Sequence, residues 1–296
     1  MAAWIRCLPP KMADILNLAL IQTNTPATQE AALAHVRPLI LQAAAGGAQL
    51  ILLPECANLM EARKEQKAQV VTTEAGDTFI RGIRELARQL RVEILIGSAI
   101  VRCDIDDRPR SGSDSATKNA NRSLLIDARG DITARYDKIH LFDADTPDGR
   151  SYRESATMRP GEASALAQTP WGRLGLTICY DIRFPHLYRA LAKQGADMIA
   201  VCAAFTVPTG KAHWEVLLRA RAIETGCFVL APAQGGLHED GRTTYGHSMV
   251  ISPWGEIIAR LNHDRPAVLE ASIDFSEVTR ARQALPCLQH DREFRL

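Results

Sequence analysis

The run L-G-L-T-I-C-Y-D-I-R-F-P at residues 174–185 decides the fold. It is apolar and partly β-branched up to a thiol, Cys179, and then turns polar. Residues 185–194 carry a helical pattern. A strand, a tight turn and a helix are therefore predicted, with the thiol at the strand tip facing a helix N-terminus. A helix N-terminus favours negative charge by about 0.3–1 kcal/mol. The same strand–turn–helix geometry exposes the serine of α/β-hydrolases, and it leaves backbone N–H groups, here near Tyr180 and Asp181, that can bind an oxyanion. A buried structural cysteine is the plain alternative. The polar turn Tyr180-Asp181 and Arg183 argue for an exposed strand end.

Working outward, residues 15–23, 50–53 and 92–101 read as strands, and 29–45 (alanine-rich) and 78–90 as helices. That alternation predicts helices packed on a sheet. Residues 123–127 and 132–136 form a hairpin around Gly130. Further strands are expected at 197–202, 228–231, 247–252, 256–261 and 267–273, a helix at 212–224, and a turn at Pro253-Trp254-Gly255. Residues 103–121 read as a long exposed hairpin tip and 143–161 as a long polar loop. Loops of that length in compact domains are usually functional or disordered. No Pro/Ser linker, composition break or short repeat divides the chain. The expectation is an α/β fold: residues 13–296 as a single domain of two sheets, each covered by helices on its outer face.

Composition excludes several function classes. Of 296 residues, 46% are hydrophobic and 23% charged, with a net charge of +1, so no global field argues for nucleic acid or an anionic membrane. No apolar run approaches the roughly 20 residues that span a bilayer. Residues 1–12 read as an extension, either a weak leader or disordered, with Met12 the favoured start over Met1. The seven cysteines are odd in number and contain no C-x-x-C, so neither a disulfide framework nor a zinc ribbon is indicated. A reducing, cytoplasmic setting is expected, with no metal and no cofactor.

A cysteine hydrolase needs a base, since the thiolate is the nucleophile and an unperturbed thiol has a pKa of about 8.5. Eight histidines are available, and none can be tied to Cys179 from sequence. A carboxylate raised by burial can replace histidine. Glu55 ends L-L-P-E after a predicted strand, and Lys138 sits in Y-D-K-I-H after another. Each alone is an ordinary loop acid or strand lysine. Three polar residues at the ends of three core strands suggest a Glu–Lys–Cys hydrolase, because parallel-type sheets gather sites at strand ends.

On these motifs the chain resembles the nitrilase superfamily of carbon–nitrogen hydrolases. L-L-P-E (Glu55), Y-D-K-I-H-L-F (Lys138) and G-L-T-I-C-Y-D-I-R-F-P (Cys179) match its three motifs, and the resemblance runs from about Ile15 to Arg292. It implies a four-layer α-β-β-α sandwich that forms a homodimer or higher homo-oligomer through helices next to the active site. It implies that Glu55 acts as base, Lys138 steadies the oxyanion and Cys179 attacks a small-molecule amide. A second acid is implied in the loop after the lysine, and Tyr152-Arg153-Glu154-Ser155 supplies Glu154. Tyr180, Arg183, Phe205 and Thr206 are expected to line the substrate pocket. H-W-E-V-L-L-R-A-R-A-I-E-T (213–225), Y-G-H-S-M-V (245–250) and P-W-G-E (253–256) resemble the deaminated glutathione amidase branch. That branch yields 2-oxoglutarate and cysteinylglycine. The neighbouring ω-amidase branch, acting on 2-oxoglutaramate, shares many of these motifs, and an N-carbamoyl amidohydrolase or nitrilase is a further alternative. A papain-like enzyme with a histidine base and a non-catalytic scaffold are the readings outside the superfamily's chemistry. The 103–118 loop is longer and more charged than the resemblance would suggest.

Overall fold

The computed structural model describes residues 15–103 and 118–294. The 1–12 extension, the choice of start and most of the 103–118 loop lie outside the described residues. In chain order the strands are β1 (Ile15–Gln22), β2 (Leu50–Leu52), β3 (Glu93–Arg102), β4 (Asn119–Ile126), β5 (Ile132–Asp137), β6 (Asp143–Asp145), β7 (Ser151–Arg153), β8 (Ala165–Gln168) and β9 (Arg173–Ile178). They continue with β10 (Met198–Cys202), β11 (Phe228–Ala231), β12 (Gly235–Leu237), β13 (Thr243–Tyr245), β14 (Met249–Ile251), β15 (Ile257–Arg260) and β16 (Ala267–Asp274). The α-helices are α1 (Gln29–Ala45), α2 (Lys64–Val70), α3 (Thr78–Leu90), α4 (Pro185–Lys193), α5 (Val207–Thr225) and α6 (Ser276–Ala284).

Two six-stranded sheets form, ordered β16-β1-β2-β3-β4-β5 and β15-β14-β11-β10-β9-β8. Each has a parallel centre, β1-β2-β3 in one and β9-β10-β11 in the other, with antiparallel strands on both flanks. Residue alternation sorts β1 into two layers. Leu16, Leu18 and Leu20 pack with Leu174, Leu176 and Ile178 of β9 between the sheets. Ala19 and Ile21 point the other way, onto Val36 and Ile40 of α1 and Phe79 and Ile83 of α3. Leu187 and Leu191 of α4 and Trp214 and Leu218 of α5 cover the second sheet. The result is the expected α-β-β-α sandwich. Burial of each large side chain in these layers is worth roughly 1.5–3 kcal/mol.

Local chemistry explains the helix limits. Asp77 caps α3 by accepting the Ile80 N–H at 2.8 Å. α1 continues through Pro38, which cannot donate a backbone hydrogen bond, because its buried stripe of Ala32, Val36, Ile40 and Ala43 holds it to the sheet. α5 begins at Val207 rather than at 212, since Pro208 is accommodated in a first turn.

Three expectations are corrected. The 143–161 stretch is not plain loop: β6 and β7 pair as a small hairpin, and a 3-10 turn, Glu154–Ala156, follows. Residues 119–121 already belong to β4, where Asn121 pairs in register with Ile100. The cysteine is not followed directly by the α-helix. A 3-10 turn, Cys179–Arg183, comes first, because Phe184 precedes a proline and is driven out of helical conformation.

Candidate active site

β2, β5, β9 and β10 all end at one rim of the sandwich, and the residues that follow them converge there. Past β2 the chain turns at Pro54, whose carbonyl accepts the Ser98 N–H at 3.1 Å. Ser98 in turn receives the Cys56 N–H on its hydroxyl (2.8 Å) and the Ala57 N–H on its carbonyl (2.8 Å). Gln234 Nε2 donates to the Glu55 carbonyl at 2.9 Å. This turn holds the Glu55 side chain almost wholly buried. It is possible only because β3 carries a glycine opposite it. A Cβ on Gly97 would come within 1.9 Å of the Leu53 carbonyl oxygen and 2.6 Å of Cys202 Cβ.

Lys138, just past β5, is also buried. Its N–H bonds the Asn121 carbonyl at 3.0 Å and its carbonyl accepts the Gly161 N–H at 2.8 Å. The ammonium lies 2.8 Å from Glu55 Oε1 and 2.9 Å from Glu154 Oε2. Glu154 opens the 3-10 turn after β7 and is anchored by the Phe142 N–H at 2.7 Å. Burial alone would depress the lysine, but the two carboxylates and the neighbouring thiol outweigh it and hold its pKa well above the ordinary value. Burial likewise works against Glu154 as an anion. Lys138, the Phe142 N–H and Asn121 overcome it and keep that carboxyl below its usual range.

Asn121 is the residue the sequence reading missed. Its Nδ2 donates to Glu55 Oε1 at 2.9 Å and to Glu154 Oε1 at 3.1 Å, so one amide bridges both acids. Its signal was an asparagine on a strand that is otherwise buried, hidden by the polar run around it. The Ala204 N–H, donated to Glu55 Oε2 at 2.9 Å, was equally unpredictable, being backbone.

Cys179 takes a positive φ of 49°, unusual for a side chain larger than glycine, and is nearly buried. Burial first, and then the Glu55 charge, push its thiol well above the ordinary pKa, while Lys138 and the Ala204 N–H act in the opposite direction. The resting site is therefore a neutral thiol beside a carboxylate, with one lysine shared between two acids.

The expected pocket residues are only partly brought together. Tyr180 lies edge-on to Phe142 and Phe184, with ring centroids 5.0 and 5.4 Å apart. The Arg183 guanidinium carbon is 5.8 Å from the Tyr180 ring and 5.6 Å from the Phe205 ring. Both of its terminal nitrogens are 3.3 Å from His213 Nδ1, and it has no carboxylate partner among the described residues. Thr206 stands apart in chemistry: it precedes α5 and its hydroxyl shares a hydrogen bond with Thr209 at 2.8 Å. Glu215 and Arg219 form a half-exposed pair at 3.7 Å, a surface interaction.

A profile of the carbon-nitrogen hydrolase family matches residues 17–283. The chain belongs to that family. It is thus a hydrolase of carbon–nitrogen bonds other than peptide bonds. A relative named deaminated glutathione amidase, from Yersinia enterocolitica, is 42% identical over 278 residues, covering 93% of each chain. The crystal structure of the C. elegans NitFhit protein superposes with a TM-score of 0.84 at 35% identity, covering 94% of this chain and 65% of that one. Saccharomyces cerevisiae Nit3, described as a member of branch 10 of the nitrilase superfamily, gives a TM-score of 0.81 at 26% identity, covering 96% of this chain and 99% of that one.

Proposed function

We propose that this hydrolase cleaves the amide of deaminated glutathione by covalent catalysis at Cys179. The observation that carries the reading is the buried Cys179 thiol at the strand end beside Glu55, whose carboxylate lies 2.8 Å from the Lys138 ammonium. A thiol with a raised pKa needs a base, and Glu55 is the base in reach. Glu55 takes the proton as Sγ attacks the amide carbonyl. The developing oxyanion is met by Lys138 and by the N–H that follows Cys179 at the start of its 3-10 turn, where helical geometry leaves the first donors without a partner inside the turn. The C–N bond breaks, cysteinylglycine leaves with the proton from Glu55, and water activated by Glu55 hydrolyses the thioester to release 2-oxoglutarate. Glu154 and Asn121 hold Glu55 and Lys138 in register. Arg183, a guanidinium beside two aromatic rings and without an acid among the described residues, suits the substrate's 2-oxo carboxylate. The substrate itself is supported by the shared name of the relatives from Yersinia enterocolitica and Bos taurus, 42% and 35% identical.

The same guanidinium would serve 2-oxoglutaramate, which keeps ω-amidase as the second reading. We further propose that the enzyme works in the cytoplasm as a homodimer. Val216 and Ile223, 67% and 51% exposed on α5, offer apolar surface for a second copy. No helix among the described residues is long and apolar enough to cross a membrane.

Hydrolysis of deaminated glutathione and of 2-oxoglutaramate should be compared with purified protein, using Cys179→Ala as the blank. A Cys179-dependent preference for deaminated glutathione is expected. Preference for 2-oxoglutaramate would move the assignment to ω-amidase, and undiminished turnover by Cys179→Ala would remove the cysteine from the chemistry.

A further inference from the structure

Asp181 is fully buried in the turn behind the nucleophile, and its carboxylate accepts four hydrogen bonds. Oδ2 receives the Ile178 N–H at 2.9 Å and the Tyr136 hydroxyl at 2.7 Å. Oδ1 receives the His140 N–H at 3.1 Å and lies 2.7 Å from His140 Nδ1. Ile178 is the residue before Cys179, and Tyr136 and His140 flank Lys138 on its two sides. One carboxylate therefore ties the end of β9, in the second sheet, to the end of β5, in the first.

We propose that Asp181 is a positioning residue that fixes the separation of the Cys179 sulfur from the Lys138 ammonium. The proposal rests on the reading of those two as nucleophile and oxyanion partner. Cys179 sits in left-handed backbone conformation, which a side chain tolerates only where its surroundings over-determine it. The Asp181–Ile178 bond closes that turn. The partner on the other sheet is equally fixed: the His140 ring stacks on Phe184 with centroids 3.6 Å apart and planes 7° apart, and Tyr136 is buried. Without the carboxylate, nothing among the described hydrogen bonds links the Cys179 turn directly to the residues around Lys138.

The test is a split of kcat from KM in Asp181→Asn, Tyr136→Phe and His140→Ala, assayed on whichever of the two 2-oxo amides the wild type turns over. An amide at 181 presents a single acceptor oxygen to four donors. Asp181→Asn should lose roughly 100-fold in kcat, the scale of a 1 Å misplacement, with KM within about threefold of wild type. Tyr136→Phe and His140→Ala each remove one donor and leave both backbone donors, so smaller losses, also in kcat, are expected. Each should cost less when added to Asp181→Asn than to wild type, since all act through one carboxylate. If Asp181→Asn does not fold, the two single variants carry the test. Wild-type kcat in both, or a loss confined to KM, would overturn the proposal. Cys179→Ala assayed alongside separates the failures. Turnover by that variant would sink the nucleophile reading, whereas an inactive Cys179→Ala with a fully active Asp181→Asn would sink the positioning role alone.

Discussion

Glu154 and Glu93 are carboxyl groups at opposite rims of the first sheet, and they respond to burial in opposite ways. Glu154 keeps its charge below the usual range, because Lys138 at 2.9 Å and the Phe142 N–H at 2.7 Å compensate for lost water. Glu93, first residue of β3, is 8% exposed, and its Oε2 has no hydrogen-bond partner among the described residues. Burial, and then the charge of Asp127, push its pKa up to about 7. The difference teaches that depth does not decide the protonation state here. The count of donors and counter-charges does. At the rim that carries Glu55, Lys138 and Glu154 the buried charges are matched, which fixes geometry. At the far rim one acid is left unmatched, and its cost depends on pH.

Removing the matching charge should break this contrast most severely. Lys138→Met strands Glu55 and Glu154 against each other in a buried site. Loss of one partner from a buried ionic cluster typically costs roughly 3–5 kcal/mol. Urea unfolding should show a drop of that order at pH 7, partly recovered at lower pH as the acids take up protons, with turnover abolished throughout. A stability loss below about 1 kcal/mol would mean that the cluster is far better solvated than its burial implies.

A smaller effect is expected from Gly97→Ala, which leaves every charge in place and shifts only the backbone beneath one of them. The new Cβ would meet the Leu53 carbonyl oxygen at 1.9 Å, and this is backbone that cannot rotate away. Overpacking of this kind costs about 1–3 kcal/mol. Because Leu53-Pro54 leads directly into Glu55, kcat should fall together with stability, by roughly 10- to 100-fold. Normal kcat in a destabilised variant would show that the Glu55 turn tolerates the shift.

The candidate active-site rim was more legible in the sequence than the structure around it. Glu55 and Cys179 end the apolar runs L-I-L-L-P and L-G-L-T-I, where a polar side chain is a local signal, while Lys138 follows the mixed strand I-T-A-R-Y-D and was legible through its strand-end place and motif. α1 and α3 were also visible, since buried residues recur at helical spacing along both. Asn121 was hidden because the residues beside it are polar and read as loop, although the chain there is already β4. Asp181 read only as part of a polar turn. Its four donors come from three residues, Tyr136, His140 and Ile178, and the first two lie some forty residues away on the other sheet, where no spacing rule reaches them. α2 has no buried residue to set a period, and β12 and β13 are too short to show alternation. Glu154 was found through resemblance alone, because a short loop acid carries no mark of the lysine it faces.

Glu93→Gln sharpens the comparison from the far rim. The folded-state pKa of Glu93, about 7, lies above its ordinary value of 4.5. The folded protein therefore holds this proton more tightly than the unfolded chain does. Its stabilising effect is complete below about pH 4.5 and is lost as pH rises through about 7. At about 1.4 kcal/mol per pKa unit, ionisation costs the fold at most about 3.5 kcal/mol at alkaline pH. Glutamine removes that penalty but brings an amide with unmet hydrogen bonds of its own, so a net gain of about 1–2 kcal/mol is expected at pH 8. Near pH 5, where the wild-type carboxyl is protonated and neutral, the substitution should give no gain. Unfolding measured at pH 5 and pH 8 should thus show curves that diverge with rising pH, with activity unchanged. Parallel curves would mean that Glu93 finds water or a partner that stabilises its charge, and the contrast between the two rims would then rest on the Glu55–Lys138–Glu154 cluster alone.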